Sequence, residues 1–125
     1  MPKANINQIN AALSKIKDTI NDAKYGGFHF KRRPETEETM IKLGYKHEHV
    51  LEEILSLTYR NYCDGPEQNR SNSGVGKGSI WKFGKFIESI EVYIKIHIVP
   101  QGAKNQCICI SFHEANYSMA YPYAS

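Results

Sequence analysis

The run Ile90-Glu91-Val92-Tyr93-Ile94-Lys95-Ile96-His97 constrains this fold more than any other stretch. Apolar and polar residues alternate with a period of two, the pattern of a half-buried strand. Val92, Ile94, Ile96 and Ile98 fall on one side, and their β-branched side chains suit a pleated surface. Tyr93, Lys95 and His97 fall on the other. The run reads as the central strand of an antiparallel sheet with one face turned to the core.

Its neighbours follow the same rule. Residues Ile80 to Ile87 put Trp81 and Phe83 on one side and Lys82 on the other. Turns are expected near Glu88-Ser89 and at Pro100-Gln101-Gly102. The last strand, Gln106 to His113, should direct Ile108, Ile110 and Phe112 to the core. Cys107, Cys109, Ser111 and His113 would then share the polar face.

The first half is mostly helical. Ile6, Ile9, Leu13, Ile16 and Ile20 recur at helical spacing and predict a helix over residues 4–24. Its stripe should dock on the sheet, and Gly26-Gly27 should stop it. Phe28 to Arg33 reads as a short strand ending in the basic run Lys31-Arg32-Arg33. Pro34 opens a second helix that Gly44 closes, with Met40, Ile41 and Leu43 on its buried side. A third helix is expected from His47 to Leu57. Residues 64–79, with Gly65-Pro66 and Gly76-Lys77-Gly78, read as a long flexible loop. The sum is an α+β fold with the helices on one sheet face.

The chain has 125 residues, which predicts one domain over 1–125, with residues 1–25 as its N-terminal helix. A net charge of +3 leans towards an anionic partner. Neither a secretory leader nor a membrane-length apolar run is visible. The three cysteines, Cys63, Cys107 and Cys109, make a poor disulfide framework and suit the reducing cytoplasm.

The expected polar face collects Lys82, Tyr93, Lys95, His97, Ser111 and His113, with no acid among them. Such a face suits an oxyanion-rich ligand. RNA cleavage needs a base for the 2′-hydroxyl, an acid for the leaving 5′-oxygen and cations for the phosphorane between them. Histidine carries protons near neutrality, lysine supplies a point charge, and tyrosine donates a hydrogen bond or a proton. This chemistry asks for no cofactor and no metal. Cys107, Cys109 and His113 on one strand would spread over roughly 20 Å, too far for one tetrahedral site. A phosphate-binding P-loop is also rejected: Ser71 stands where its first glycine belongs, and Gly78 follows Lys77.

Several blocks carry a resemblance. Ile54-Leu55-Ser56-Leu57-Thr58, Asn61-Tyr62, Ile80-Trp81-Lys82-Phe83-Gly84, Glu91-Val92-Tyr93-Ile94-Lys95-Ile96 and Ile110-Ser111-Phe112-His113-Glu114 occur in that order. Over roughly residues 28–123 they resemble the MqsR family of type II toxin–antitoxin toxins. The closing Tyr117-Ser118-Met119-Ala120-Tyr121-Pro122-Tyr123 resembles the tail of a divergent branch. The resemblance implies a RelE-like, microbial-RNase-type fold and an mRNA interferase neutralised by a cognate antitoxin. It puts the family's proposed catalytic tyrosine at Tyr93 and a neighbouring lysine at Lys95. Lys82 stands where the prototype has glutamine, His113 where it has lysine, and Cys63 where it has a further lysine.

The expectation is therefore a metal-independent endoribonuclease that cleaves mRNA by 2′-hydroxyl attack. His113, Tyr93, Lys95 and Lys82 would be catalytic. Lys31, Arg32, Arg33, Ser111 and His97 would bind RNA. The expected partners are mRNA, an antitoxin and the ribosome, with no membrane. The alternative is a non-catalytic RNA- or protein-binding module on the same scaffold.

Overall fold

The computed structural model of the protein describes residues 2–21, 27–68 and 78–124. The expected helix stop at Gly26 and the part of the loop at 69–77, with Gly76-Lys77, lie outside the described residues. Helix α1 spans Ile6–Asn21, and strand β1 spans Phe28–Phe30. Helices α2 and α3 follow at Pro34–Leu43 and His47–Leu55. A short 3-10 turn leads into β2, Tyr62–Gln68. Strands β3, β4 and β5 occupy Ser79–Ile87, Ile90–Gln101 and Lys104–Glu114. The fold is α+β.

Local sequence explains the helix ends. Asn5 and Gln8 cap α1 reciprocally: each side-chain oxygen accepts the other's backbone N–H at 2.8 Å. Pro34 opens α2, and Gly44 closes it at φ 69, a conformation glycine adopts without strain. The Gly44 and Tyr45 amides then satisfy the Ile41 and Met40 carbonyls. Along α2 the buried residues are Thr36, Thr39, Met40 and Leu43, a 3-4 spacing. Ile41, expected inside, is 78% exposed.

The five strands form one sheet in the order β1-β5-β4-β3-β2. The sheet is mixed rather than antiparallel, because β1 pairs with β5 in parallel. That is possible because α2, α3 and three further strands separate the two in sequence. The β3–β4 turn places Glu88 and Ser89 at positive φ, the twist that a two-residue hairpin favours. Strand β4 runs on through Pro100 to Gln101, into the expected turn, and Gly102 then turns the chain.

Two further expectations fail at the sheet. Residues 64–68 are not loop but the edge strand β2, paired with β3. Gly65 and Pro66 break any alternation there, yet an edge strand tolerates proline. The register of β2 also shifts twice, between Tyr62 and Asp64 and between Asp64 and Glu67.

The second failure is in β5. Ile96 pairs with Cys109, but the next residue of β4, Lys95, pairs with Ser111. Ile110 is the extra residue of a β-bulge, and it reverses which face later side chains take. Cys107 and Cys109 therefore lie fully buried in the core beside Ile98 and Ile96. Ile108 and Ile110 are only half-buried. Beyond the bulge Phe112 returns to the core opposite Ile94, and His113 faces away.

The core joins Ile9, Leu13 and Ile16 of α1, Met40 of α2 and Val50 and Ile54 of α3 to Phe83, Ile94, Ile96 and Phe112 of the sheet. Each fully buried Ile or Phe contributes ~1.5–3 kcal/mol by leaving water. Docking of α1 buries Ile9, Leu13 and Ile16 of its apolar stripe, while Ile6 stays exposed. Lys82, Tyr93, Lys95 and His113 point away from this core.

Candidate active site

The β4–β5 ladder builds the site. Tyr93 and His113 are direct cross-strand partners, and their rings lie 5.3 Å apart between centroids at 48°. The bulge at Ile110 sets this pairing. Gly84 of β3 faces Tyr93 from the other side, and Tyr121 and Met119 of the tail fill the space that a side chain there would take. Lys82 enters from β3, two residues along.

These three side chains line one cleft of about 510 Å³, together with Cys63, Asp64 and the chain after β5. His113 also borders a second, polar cleft of about 570 Å³, walled by Glu35, Glu38 and Lys42 of α2. Thr39 of α2 anchors the junction, because its hydroxyl accepts the Glu114 amide at 2.8 Å.

Hydrogen bonding fixes the His113 tautomer. Its Nδ1 lies 2.9 Å from the Glu114 carbonyl oxygen. A carbonyl only accepts, so Nδ1 carries the proton, and Nε2 of the neutral ring is left as a base. Tyr93 is half-buried, and that burial raises its pKa; nearby Lys82 acts in the opposite sense. The phenol therefore holds its proton at neutral pH and can donate it.

The expected acid-free face is not acid-free. Glu67 of β2 accepts a hydrogen bond from Lys82 Nζ at 2.9 Å. That bond raises the Lys82 pKa and lowers that of Glu67. Asp64 stands in the cleft wall, with Lys3 Nζ 3.5 Å from its carboxylate. Both acids were hidden because β2 has no alternating pattern. Cys63 also lines the cleft, but burial, then Glu91 and Asp64, push its thiol up to about 12. It is a protonated wall rather than a nucleophile.

The remaining expected residues disperse. Lys95 is half-buried on the same face, opposite Lys82 and Ser111, but it is outside the cleft wall. Ser111 is buried. His97 is four residues from Tyr93, about 13 Å along the strand. It is 6% exposed, its Nε2 has no hydrogen-bond partner among the described residues, and burial followed by the Lys31 charge lowers its pKa. Lys31 and Arg33 follow the edge strand β1, three strands from β3. Arg32 is held by Glu37 through two hydrogen bonds of 2.6 and 3.1 Å. The RNA-binding set therefore does not converge on Tyr93 and His113.

The cysteines and His113 expected on one strand face are split by the bulge, with both strand thiols in the core. Among the described residues, no three His, Cys, Asp or Glu side chains are grouped to hold a metal ion. No helix among them is long and apolar enough to cross a membrane.

The tail covers a core edge with Tyr123, as its tyrosines suggest, and hydrogen bonds that no sequence pattern signals tie it down. Met119 N–H and Tyr121 O–H donate to the Glu91 carboxylate at 3.3 and 2.7 Å. Tyr123 O–H donates to the Ala4 carbonyl at 2.7 Å and packs its ring 6.0 Å from Tyr62. The tail thus straps β3 and β4 to β2 and the start of α1. No protein-family model, curated protein or solved structure matches the chain.

Proposed function

We propose that this protein is an endoribonuclease that works without a metal, the toxin of a type II toxin–antitoxin pair, as its resemblance to MqsR-family toxins implies. One observation carries the reading: a base and a proton donor, His113 and Tyr93, face each other in a cleft that also holds the Lys82 cation. Its natural substrate would be mRNA, free or on the ribosome, and an antitoxin protein would silence it in the cytoplasm. A RelE-like fold belongs to the same proposal.

The steps follow from the groups present. His113 Nε2 takes the 2′-hydroxyl proton while its Nδ1–H stays on the Glu114 carbonyl. The 2′-oxygen attacks phosphorus, and the bond to the 5′-oxygen breaks. Tyr93 gives its proton to that leaving oxygen, so no alkoxide has to depart. Lys82 turns from Glu67 to the phosphorane oxygens as negative charge gathers there. The products are a 2′,3′-cyclic phosphate and a 5′-hydroxyl. Proton return from the His113 imidazolium to Tyr93 resets the site. Lys95, one ladder position away, adds positive potential to the same face.

A second reading has its own support. Lys82 is already bound to Glu67, and Asp64 adds another carboxylate to the cleft. A site whose cation never leaves Glu67 would bind RNA or protein without cutting. Incubating purified protein with a defined RNA in EDTA separates the two. Cleavage supports the nuclease; RNA retained intact, with or without ribosomes, supports the binding module.

A further inference from the structure

We infer that Tyr117 is a stacking platform for one unpaired nucleobase beside the scissile phosphate. The inference rests on the ribonuclease reading and adds the class of group the cleft mouth holds.

The backbone around Tyr117 is pinned at both ends by one residue. Ala115 N–H donates to the Glu91 carbonyl at 2.8 Å, and Met119 N–H donates to the Glu91 carboxylate at 3.3 Å. Tyr121 closes the strap on the same carboxylate. Tyr121 and Tyr123 are both half-buried and hydrogen-bonded. Tyr117 is the exception at 80% exposed, yet it lines the cleft that contains Tyr93 and His113. An aromatic ring presented by an anchored loop loses little conformational freedom on binding, so its stacking energy is retained.

The occupant follows from the neighbours. A phosphate between His113 and Tyr93 carries a nucleoside on each side, and at least one base must lie near the cleft mouth. Cleavage by 2′-hydroxyl attack acts most readily on flexible single strands, whose bases are splayed and free to stack on aromatic rings. Stacking tolerates any base, because each has a π-face.

The test uses a single-stranded RNA with 2′-O-methyl groups, which blocks cutting, and a matched series with one abasic position each. Tyr117→Ala should weaken binding about tenfold, and Tyr117→Phe should bind like the wild type. One abasic position should weaken wild-type binding and have little further effect in Tyr117→Ala, the mark of a direct pair. Equal affinity of Tyr117→Ala and wild type, with cleavage of unmodified RNA intact, overturns the platform and leaves the nuclease standing. A wild type that neither binds nor cuts RNA overturns both.

Discussion

Tyr93 and His113 sit directly opposite each other on β4 and β5, with ring centroids 5.3 Å apart. The pairing depends on Ile110, the bulged residue that turns His113 away from the core. Chemistry at this sheet therefore depends on one extra residue in one strand.

Glu67 holds Lys82 in the resting site, so Glu67→Gln should free the cation for phosphate. RNA affinity should rise, and its salt dependence should steepen. Stability should change by less than ~1 kcal/mol, because both side chains are partly exposed. The Lys82 pKa should fall back once its acceptor is uncharged. Weaker RNA binding in this variant would mean that Glu67 orients Lys82 for the substrate rather than restraining it.

His97 should make the fold acid-sensitive. Its folded pKa lies below the ordinary 6.5, so the unfolded chain takes up the proton more readily. Its contribution is complete above pH 6.5 and is lost as pH falls from there through the folded value. Gly78 approaches the ring, Ile80 and Ile108 are its ladder neighbours, and among the described residues Lys31 is the charge that acts on it, repelling the protonated form. Denaturant midpoints between pH 7 and 5 should fall for the wild type and fall less for His97→Leu. Equal slopes would show that His97 titrates freely.

Gly84 makes room for the strap. A Cβ there would run into the Tyr121 hydroxyl and lie 3.0 Å from Met119 Sδ. Gly84→Ala should cost about 1–3 kcal/mol, as overpacking does. It should also speed hydrogen exchange at the Met119 amide, whose acceptor is Glu91. Unchanged exchange would mean that the tail is held elsewhere.

Much of this fold was legible because its period is simple. Strand β4 alternates from Ile90 to Ile98 and β3 from Trp81 to Phe83, and α1 repeats its apolar residues every three or four. Strand β2 was not legible: Gly65, Pro66 and two register shifts leave no period to read. With it went Asp64 and Glu67, so the polar face looked wholly basic. In β5 the alternation of Ile108, Ile110 and Phe112 pointed to one face, and the bulge split it. That reversal arises from pairing with β4, which no local pattern encodes. Lys82 and Tyr93 were legible from the alternation of β3 and β4, and His113 because the bulge lies before it. His97 and the basic run share the strand parity or charge of the site without sharing its place.

Analysis of the ends left on a defined RNA, with EDTA present, tests the central claim most directly. Wild type should leave 2′,3′-cyclic phosphate and 5′-hydroxyl ends. His113→Ala and Tyr93→Phe should each lower cleavage by at least about 100-fold, the usual worth of a general acid or base. Both should keep the wild-type melting temperature within a few degrees, since neither side chain belongs to the core. Full cleavage by both folded variants, or 3′-hydroxyl ends from the wild type, would contradict the account.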